Sequence, residues 1–211
     1  MSATTSKPLR RQRRREGITL LVGILAVMWI VEVINTLDSN DLDRDGIYGR
    51  SVSHLWGILT APFIHASFAH LIANTIPFAF MGLIIALRGA ARLALVTAIV
   101  IVVGGLGTWL VAPANESTIG ASGVVFGYAA YLLARGFFDR SARELVIGLV
   151  VGVIWGGALL VSLVPHAGIS WQGHLFGAVG GVVAASLLRR ERRRLRGARG
   201  AGGSPTTALA K

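Results

Sequence analysis

Long apolar runs separated by short polar segments are the main pattern along this chain. A helix needs about 20 apolar residues to cross the hydrocarbon core of a bilayer, and six runs reach or approach that length. The fourth run is shorter than the others and rich in glycine, but Arg135 and Arg140 bound it on one side. The pattern therefore predicts an all-α polytopic membrane protein, a bundle of six transmembrane helices. The predicted spans are Ile18–Leu37, Ala69–Leu87, Leu93–Ala112, Ile119–Ala134, Leu145–Val164 and Ile169–Leu188.

The composition of the 211-residue chain excludes an ordinary water-soluble domain. Hydrophobic residues make up 53% of it, charged residues make up 15%, and the mean hydropathy is +0.63, whereas soluble domains carry about 25% charged residues. Disorder of the bulk of the chain is excluded as well, because disordered segments have low hydrophobicity. The chain has no cysteine, which excludes disulfides, thiol nucleophiles and cysteine-based zinc sites.

Basic residues lie at the two ends of the chain and in the short gaps between apolar runs, and they give it a net charge of +11. With six spans, 19 of the 21 lysines and arginines fall on one side of the membrane, and only Arg44 and Arg50 fall on the other. Cytoplasmic loops carry the excess of positive charge, so both termini are predicted to be cytoplasmic. This distribution favours a membrane protein over a nucleic-acid-binding one, and we expect no nucleic acid as partner.

The runs and the charges divide the chain into three segments. Residues 1–17 form a basic cytoplasmic tail, residues 18–188 form the membrane domain, and residues 189–211 form a second basic cytoplasmic tail that we expect to be disordered. Both tails are expected to contact the anionic headgroups of the lipid bilayer. We expect a multi-pass protein of a cell membrane, of the bacterial plasma-membrane type.

The outer loop, residues 38–68, is the one sizeable segment outside the predicted spans and tails. Its segment Asp41–Gly46 has the aspartates and the glycine of the first half of a calcium-binding loop. Val52 occupies the position where such a loop has a bidentate glutamate. A solvated acidic turn is therefore the favoured interpretation, and calcium binding is the alternative.

Polar residues inside predicted spans are costly and are therefore candidates for function. His70 lies at the outer start of the second span, and Asn74 lies one helical turn deeper on the same face. Ser122 lies at the outer start of the fourth span, and His174 lies a few residues into the sixth. All four can share one level below the outer surface, which predicts a polar site formed by three helices. Glu32 is instead expected to point outward at the interface.

Ser122 and His174 together indicate nucleophilic catalysis. Gly173, Gly177 and Gly181 recur every four residues, a spacing of small residues that lets membrane helices approach closely. Close approach would let His174 take the serine proton as a general base. No Asp or Glu is placed to orient the histidine, so the sequence favours a Ser–His dyad over a triad.

Attack of a serine on a carbonyl creates an oxyanion, which needs preorganised donors. The first amides of the fourth span, around Gly120–Gly123, could supply them together with the Asn74 amide and the His70 ring. Water must also reach Ser122, so we expect a polar cavity that opens outward. The H-E-x-x-H motif of zinc proteases is absent, and no aspartate lies inside a predicted span. We therefore expect neither a metal nor a cofactor.

Three motifs resemble those of the rhomboid intramembrane serine proteases. They are H-x-x-x-N at His70–Asn74, G-A-S-G at Gly120–Gly123, and G-H-x-x-G-x-x-x-G at Gly173–Gly181. Each motif alone is weak, but their order, spacing and placement on the predicted spans agree with that family. The resemblance covers roughly residues 50–188.

The resemblance implies a helix bundle of rhomboid type that cleaves single-span, membrane-anchored proteins near the outer face. It implies that Ser122 is the nucleophile and His174 the general base, and that His70, Asn74 and the Ser122 amide bind the oxyanion. A catalytically silent rhomboid-like protein that binds transmembrane helices is the alternative. A transporter is not favoured, because the chain shows no internal repeat and its polar cluster lies near one face.

Two positions depart from the common pattern of that family. Many rhomboids have a Trp-Arg pair in the outer loop, where this chain has Trp56 and Gly57. Many have a tyrosine four residues after the serine, where this chain has Phe126, whose ring can still stack on the base. His65 resembles another family position in the loop, and we expect it to stabilise the loop rather than to act in catalysis.

Overall fold

The computed structural model describes residues 6–166 and 168–200, with side chains described from residue 8 to residue 189. Seven helices and three short 3-10 turns account for most of these residues, and no strand occurs among them. The 3-10 turns, Asp41–Asp45, Val52–His54 and Ala61–Phe63, all lie in the outer loop. The helices are α1 (Ser6–Leu37), α2 (Gly57–Thr60), α3 (Phe68–Ala86), α4 (Ala90–Val111), α5 (Ser122–Asp139), α6 (Ala142–Val161) and α7 (Trp171–Gly200).

The prediction of an all-helical membrane protein is confirmed for the described residues. Five helices are long and apolar enough to cross a membrane, namely α1, α3, α4, α6 and the part of α7 that ends at Arg189. The remaining long helix, α5, is not among them. The total of six spans, the three segment boundaries and the cytoplasmic position of both termini stay predictions.

Helix α5 is largely enclosed by other helices. It packs against α3, α4, α6 and α7, and ten of its 18 residues are buried. A helix enclosed by protein can carry polar groups that find partners there, and the Tyr128 hydroxyl lies 2.6 Å from Thr97 Oγ1 on α4. This enclosure explains why the fourth apolar run can be shorter than the others.

Helices α5 and α7 contact each other backbone to backbone. A Cβ atom on Gly177 would overlap the carbonyl oxygen of Gly123, and a Cβ atom on Gly181 would overlap that of Gly127. Gly104 of α4 also approaches Gly177 closely. The close approach that the glycine spacing predicts is therefore confirmed, and it fixes the separation of the two helices that begin near Ser122 and His174.

Buried charges join three elements at the end of the bundle opposite to Ser122. The Arg88 guanidinium, in the turn between α3 and α4, contacts the Glu144 carboxylate of α6. Arg135 of α5 lies 3.7 Å from the same carboxylate and 3.1 Å from Asp139. Buried charges are tolerated when each is paired, so this ion-pair cluster holds the inner half of α6 against α5.

Two expectations are corrected by the structure. Glu32 does not point outward but is fully buried, and neither of its carboxylate oxygens has a hydrogen-bond partner among the described residues. It shares a helix face with Met28 and Asn35, and this face of α1 is covered by α3 and by the outer loop.

Residues 189–200, expected to be disordered, continue α7 to Gly200, because arginine-rich sequence without proline propagates a helix. Residues 201–211 lie outside the described residues.

Replacing Gly177 by Val should lower the thermal stability of the protein in detergent. The new side chain cannot be accommodated by a rotamer change, since it would overlap backbone, so α5 and α7 must separate at a cost of about 1–3 kcal/mol. Gly156→Val on α6 is the matched control, because a Cβ atom there meets open space. An equal loss of melting temperature in both variants would contradict the role of the backbone contact.

Candidate active site

The structure brings together the four side chains that the sequence predicts. Ser122 is the first residue of α5, His174 lies in the first turn of α7, and Ser122 Oγ is 2.8 Å from His174 Nε2. His70 and Asn74 lie one turn apart on α3 and approach Gly120, which precedes Ser122. The site is therefore built where the N-terminal ends of α3, α5 and α7 meet.

The backbone before α5 places Ser122 at the N-terminus of that helix. Gly120 has a φ of +110°, a conformation that favours glycine, and its N–H donates to the Ala61 carbonyl over 2.8 Å. Two backbone hydrogen bonds, of 3.0 and 2.9 Å, join Ile47 to Thr118. These contacts hold residues 118–120 in a non-helical conformation, so α5 begins three residues later than predicted. The first amides of a helix have no intrahelical acceptor, so the Ser122 N–H remains available.

The imidazole of His174 is oriented by a backbone carbonyl. His174 Nδ1 lies 2.8 Å from the Ser162 carbonyl oxygen, and a carbonyl can only accept, so Nδ1 carries the proton. Nε2 is then the acceptor that faces the Ser122 hydroxyl. Ser162 caps the C-terminus of α6, where carbonyls lack helical partners. Sequence reasoning missed this group, because no side chain signals it and Ser162 is marked only by the end of an apolar run.

Phe126 fixes the plane of the same imidazole. The rings of Phe126 and His174 are parallel to within 4°, and their centroids lie 4.2 Å apart. Both residues are buried. The stacking expected of Phe126 is therefore confirmed, and together with the Ser162 carbonyl it restricts the histidine ring to one orientation.

Two side-chain nitrogens approach the backbone at Gly120, two residues before Ser122. A Cβ atom on Gly120 would lie 2.8 Å from His70 Nε2 and 3.6 Å from Asn74 Nδ2, so both nitrogens lie close to this backbone. Asn74 is buried, and its Nδ2 has no hydrogen-bond partner among the described residues. A buried donor without a partner is costly, and an oxygen atom bound beside Ser122 would relieve that cost.

Two cavities adjoin the site. The larger has a volume of about 840 Å³ and is lined by His70, by Ser170 to Gln172, and by loop residues that include Asp43 and Glu116. Ser122 is not among its lining residues, so a water path that reaches the serine stays a prediction. The smaller has a volume of about 50 Å³ and lies against Ser122, with Gly104, Gly105, Thr108 and Ile58 in its wall.

His65 stabilises the backbone next to the serine. Its side chain is fully buried, Nε2 accepts a hydrogen bond from the Ala121 N–H over 3.3 Å, and its ring is edge-on to that of His70 at 5.0 Å between centroids. Burial and, to a smaller extent, the nearby His70 lower the pKa of His65 to about 4, although the Phe63 backbone opposes this shift. The neutral ring that results is the form that can accept at Nε2.

The described residues contain no group of three or more His, Asp and Glu side chains placed to hold a metal ion. In the acidic turn of the outer loop, Asp41 pairs with Arg44 over 2.8 Å. The Asp43 carboxylate accepts a hydrogen bond from Asn35 over 2.9 Å. Two of the aspartates that suggested a calcium loop therefore have partners within the protein.

The sequence matches the model of the Rhomboid domain over residues 52–191. This region includes the Ser122–His174 pair, His70 and Asn74, and it begins after α1 and the acidic turn of the outer loop.

Curated relatives cover more of the chain. An uncharacterised protein of Mycobacterium tuberculosis is 43% identical over 206 residues, which are 94% of this chain and 86% of that protein. A Bacillus subtilis protein named "Putative rhomboid protease YdcA" is 28% identical over 184 residues, 83% of this chain and 91% of that protein. The B. subtilis protein named "Rhomboid protease GluP" is 25% identical over 140 residues, 63% of this chain and 26% of that protein.

Acidification should destabilise the protein through His65. Between pH 6.5 and about 4, His65 binds a proton in the unfolded protein but not in the folded protein. The free energy of unfolding therefore decreases as the pH is lowered through this window, by up to about 3 kcal/mol. The measurement is the melting temperature in detergent at pH 7 and pH 4.5, for wild type and His65→Gln. The wild type should lose more than the variant on acidification, and equal losses would contradict this assignment.

Proposed function

This chain belongs to the rhomboid family, and we propose that it is an intramembrane serine endopeptidase with a Ser–His dyad. It hydrolyses peptide bonds in or next to transmembrane helices of membrane-anchored proteins, near the outer face of the membrane. The observation that carries the proposal is the 2.8 Å contact between Ser122 Oγ and His174 Nε2, with His174 Nδ1 held by the Ser162 carbonyl.

In the acylation step, Ser122 Oγ attacks the carbonyl carbon of the scissile bond while His174 Nε2 takes the hydroxyl proton. The tetrahedral intermediate collapses, the carbon–nitrogen bond breaks, and His174 returns the proton to the leaving amine. In deacylation, His174 takes a proton from water, the hydroxide attacks the acyl ester, and Ser122 regains a proton as it leaves. The net reaction is hydrolysis of one peptide bond.

The oxyanion is proposed to be bound by the Ser122 N–H, the Asn74 amide and the His70 ring. The support for Asn74 is that its buried Nδ2 lies beside Gly120 without a partner among the described residues. Donors that are fixed before the reaction stabilise the developing charge without reorganisation. His70 can serve in the tautomer that has its proton on Nε2, the nitrogen that faces Gly120.

The site is suited to an extended peptide rather than to an intact helix. Carbonyls within a helix are hydrogen-bonded and shielded, so the substrate segment must unwind before Ser122 can attack. We expect single-span substrates with Gly, Pro or small polar residues near the outer end of the span. The cavity of about 840 Å³ provides water and room for the unwound segment.

The basic ends of the chain support a plasma-membrane location with both termini in the cytoplasm. Arg10, Arg11 and Arg13–Arg15 lie on the exposed first turns of α1, where they can contact anionic headgroups of the cytoplasmic leaflet. Each such contact near the surface contributes about 1 kcal/mol. The bilayer is thus proposed as a partner that anchors the bundle at a fixed depth.

Purified wild-type protein in detergent should cleave at least one member of a panel of single-span reporters, and its serine should react with a fluorophosphonate probe. Ser122→Ala should abolish both reactions, and His174→Gln should reduce cleavage at least about 10³-fold, because the serine then has no base. The readouts are gel-resolved cleavage and in-gel fluorescence.

Gly156→Val, which places its side chain in open space, is the control that should retain both reactions. Cleavage that persists in Ser122→Ala would overturn the protease proposal. Wild-type protein that neither cleaves nor reacts would favour the catalytically silent binder of transmembrane helices.

The small cavity beside Ser122 should select a small side chain before the scissile bond. A volume of about 50 Å³ accepts Ala but not Phe, so a reporter with Phe at that position should be cut at least about tenfold more slowly than one with Ala. Ile58→Ala enlarges the cavity and should bring the ratio of kcat/KM for the Ala reporter to that for the Phe reporter closer to one. An unchanged ratio would show that this cavity does not hold the side chain.

A further inference from the structure

Asn35 connects α1 to both ends of the outer loop. Its side chain is fully buried near the outer end of α1. Nδ2 donates to Asp43 Oδ1 over 2.9 Å and to the His65 carbonyl over 3.2 Å, while Oδ1 accepts from the Leu42 N–H over 3.0 Å. One amide therefore links α1, the acidic turn and His65, which lies near the end of the outer loop.

The bond from Asn35 to the His65 carbonyl leads directly to the serine. On the far side of His65, the ring accepts the Ala121 N–H, and Ala121 immediately precedes Ser122. The same loop segment holds Gly120 through the Ala61 carbonyl over 2.8 Å. The backbone that presents the Ser122 amide is therefore fixed from the side of α1 and the loop, through residues 61–65.

The contacts that hold Ser122 Oγ close to His174 differ from those that link Asn35 to the Ser122 backbone. The backbone contact of Gly123 with Gly177 sets the separation of α5 and α7, and the Ser162 carbonyl and Phe126 orient the imidazole. None of these contacts involves α1. Loss of the Asn35 amide should therefore displace the donors for the oxyanion while it leaves the nucleophile and the base in place.

We propose that Asn35 is a positioning residue, by which α1 aligns the backbone amide of Ser122 and the His70 ring through His65. This inference rests on the proposed function. It adds a residue of α1, which lies outside the region matched by the Rhomboid domain, to the residues that shape the site. Donors displaced by about 1 Å can cost up to about 100-fold in rate. Because the oxyanion forms only during the reaction, the loss falls on kcat rather than on KM.

The test compares Asn35→Leu with Thr97→Val. The control removes a buried hydroxyl that hydrogen-bonds Tyr128 and the Leu93 carbonyl, far from the outer loop. Both variants should melt at lower temperature than wild type. Asn35→Leu should have a kcat about 10- to 100-fold lower with KM nearly unchanged, and Ser122 should react with a fluorophosphonate more slowly by a similar factor. Thr97→Val should stay within about twofold of wild type in both reactions.

A second variant separates positioning from stability. Asn35→Asp combined with Asp43→Asn reverses the donor and the acceptor of that hydrogen bond and still accepts the Leu42 N–H, but it has no donor for the His65 carbonyl. Its melting temperature should recover relative to Asn35→Asp alone, and its kcat should stay low.

Each outcome decides between the two proposals. The positioning role would be overturned if the kcat of Asn35→Leu were no lower than that of Thr97→Val. It would also be overturned if the kcat of the double variant recovered together with its melting temperature. Either result would leave the proposed protease activity unaffected. If Asn35→Leu does not fold, the double variant gives the same decision. Wild-type protein without cleavage and without fluorophosphonate labelling would overturn the proposed function, and this inference with it.

Discussion

Backbone contact between α5 and α7 is the constraint on which the geometry of the site depends. The serine side chain is short, so Ser122 Oγ can lie 2.8 Å from His174 Nε2 only where the two helices approach closely. Glycine at Gly123 and Gly127 on one helix, and at Gly177 and Gly181 on the other, removes the atoms that would keep them apart. In a bilayer, where lipid tails are as apolar as leucine, such close packing is also a main source of helix association. The same contact therefore stabilises the bundle and sets the reactive distance.

The His174 imidazole is held in one tautomer without a carboxylate. In a triad, an aspartate fixes the proton on the distal ring nitrogen. Burying a carboxylate at this depth would cost desolvation free energy. The Ser162 carbonyl carries no net charge, and it is available because it lies at the end of α6, where it has no helical partner. The carbonyl also lies at the negative end of that helix, where it favours a positively charged neighbour. The ring can thus accept a proton without a second ionisable group.

The residues that could be predicted from sequence are those whose chemistry contrasts with their surroundings. Ser122, His174 and Asn74 are polar groups in apolar runs, and helical periodicity gives their depth and face. The Ser162 carbonyl could not be predicted, because every residue has one and only the end of α6 makes it available. The burial of Glu32 depends on which face of α1 the outer loop covers, and the start of α5 depends on the pairing of Ile47 with Thr118. Both are contacts between distant segments, which a local pattern does not contain.

The buried residues of helix α6, Glu144, Gly148 and Val151, all lie in its first half, and its second half has no fully buried residue. That second half ends at the carbonyl that fixes the proton of His174. Because few residues of this half are buried, a tilt of α6 would change the direction of this acceptor before it disturbed the backbone contact between α5 and α7. The position of a single, sparsely packed helix end thus sets which nitrogen of the imidazole carries the proton.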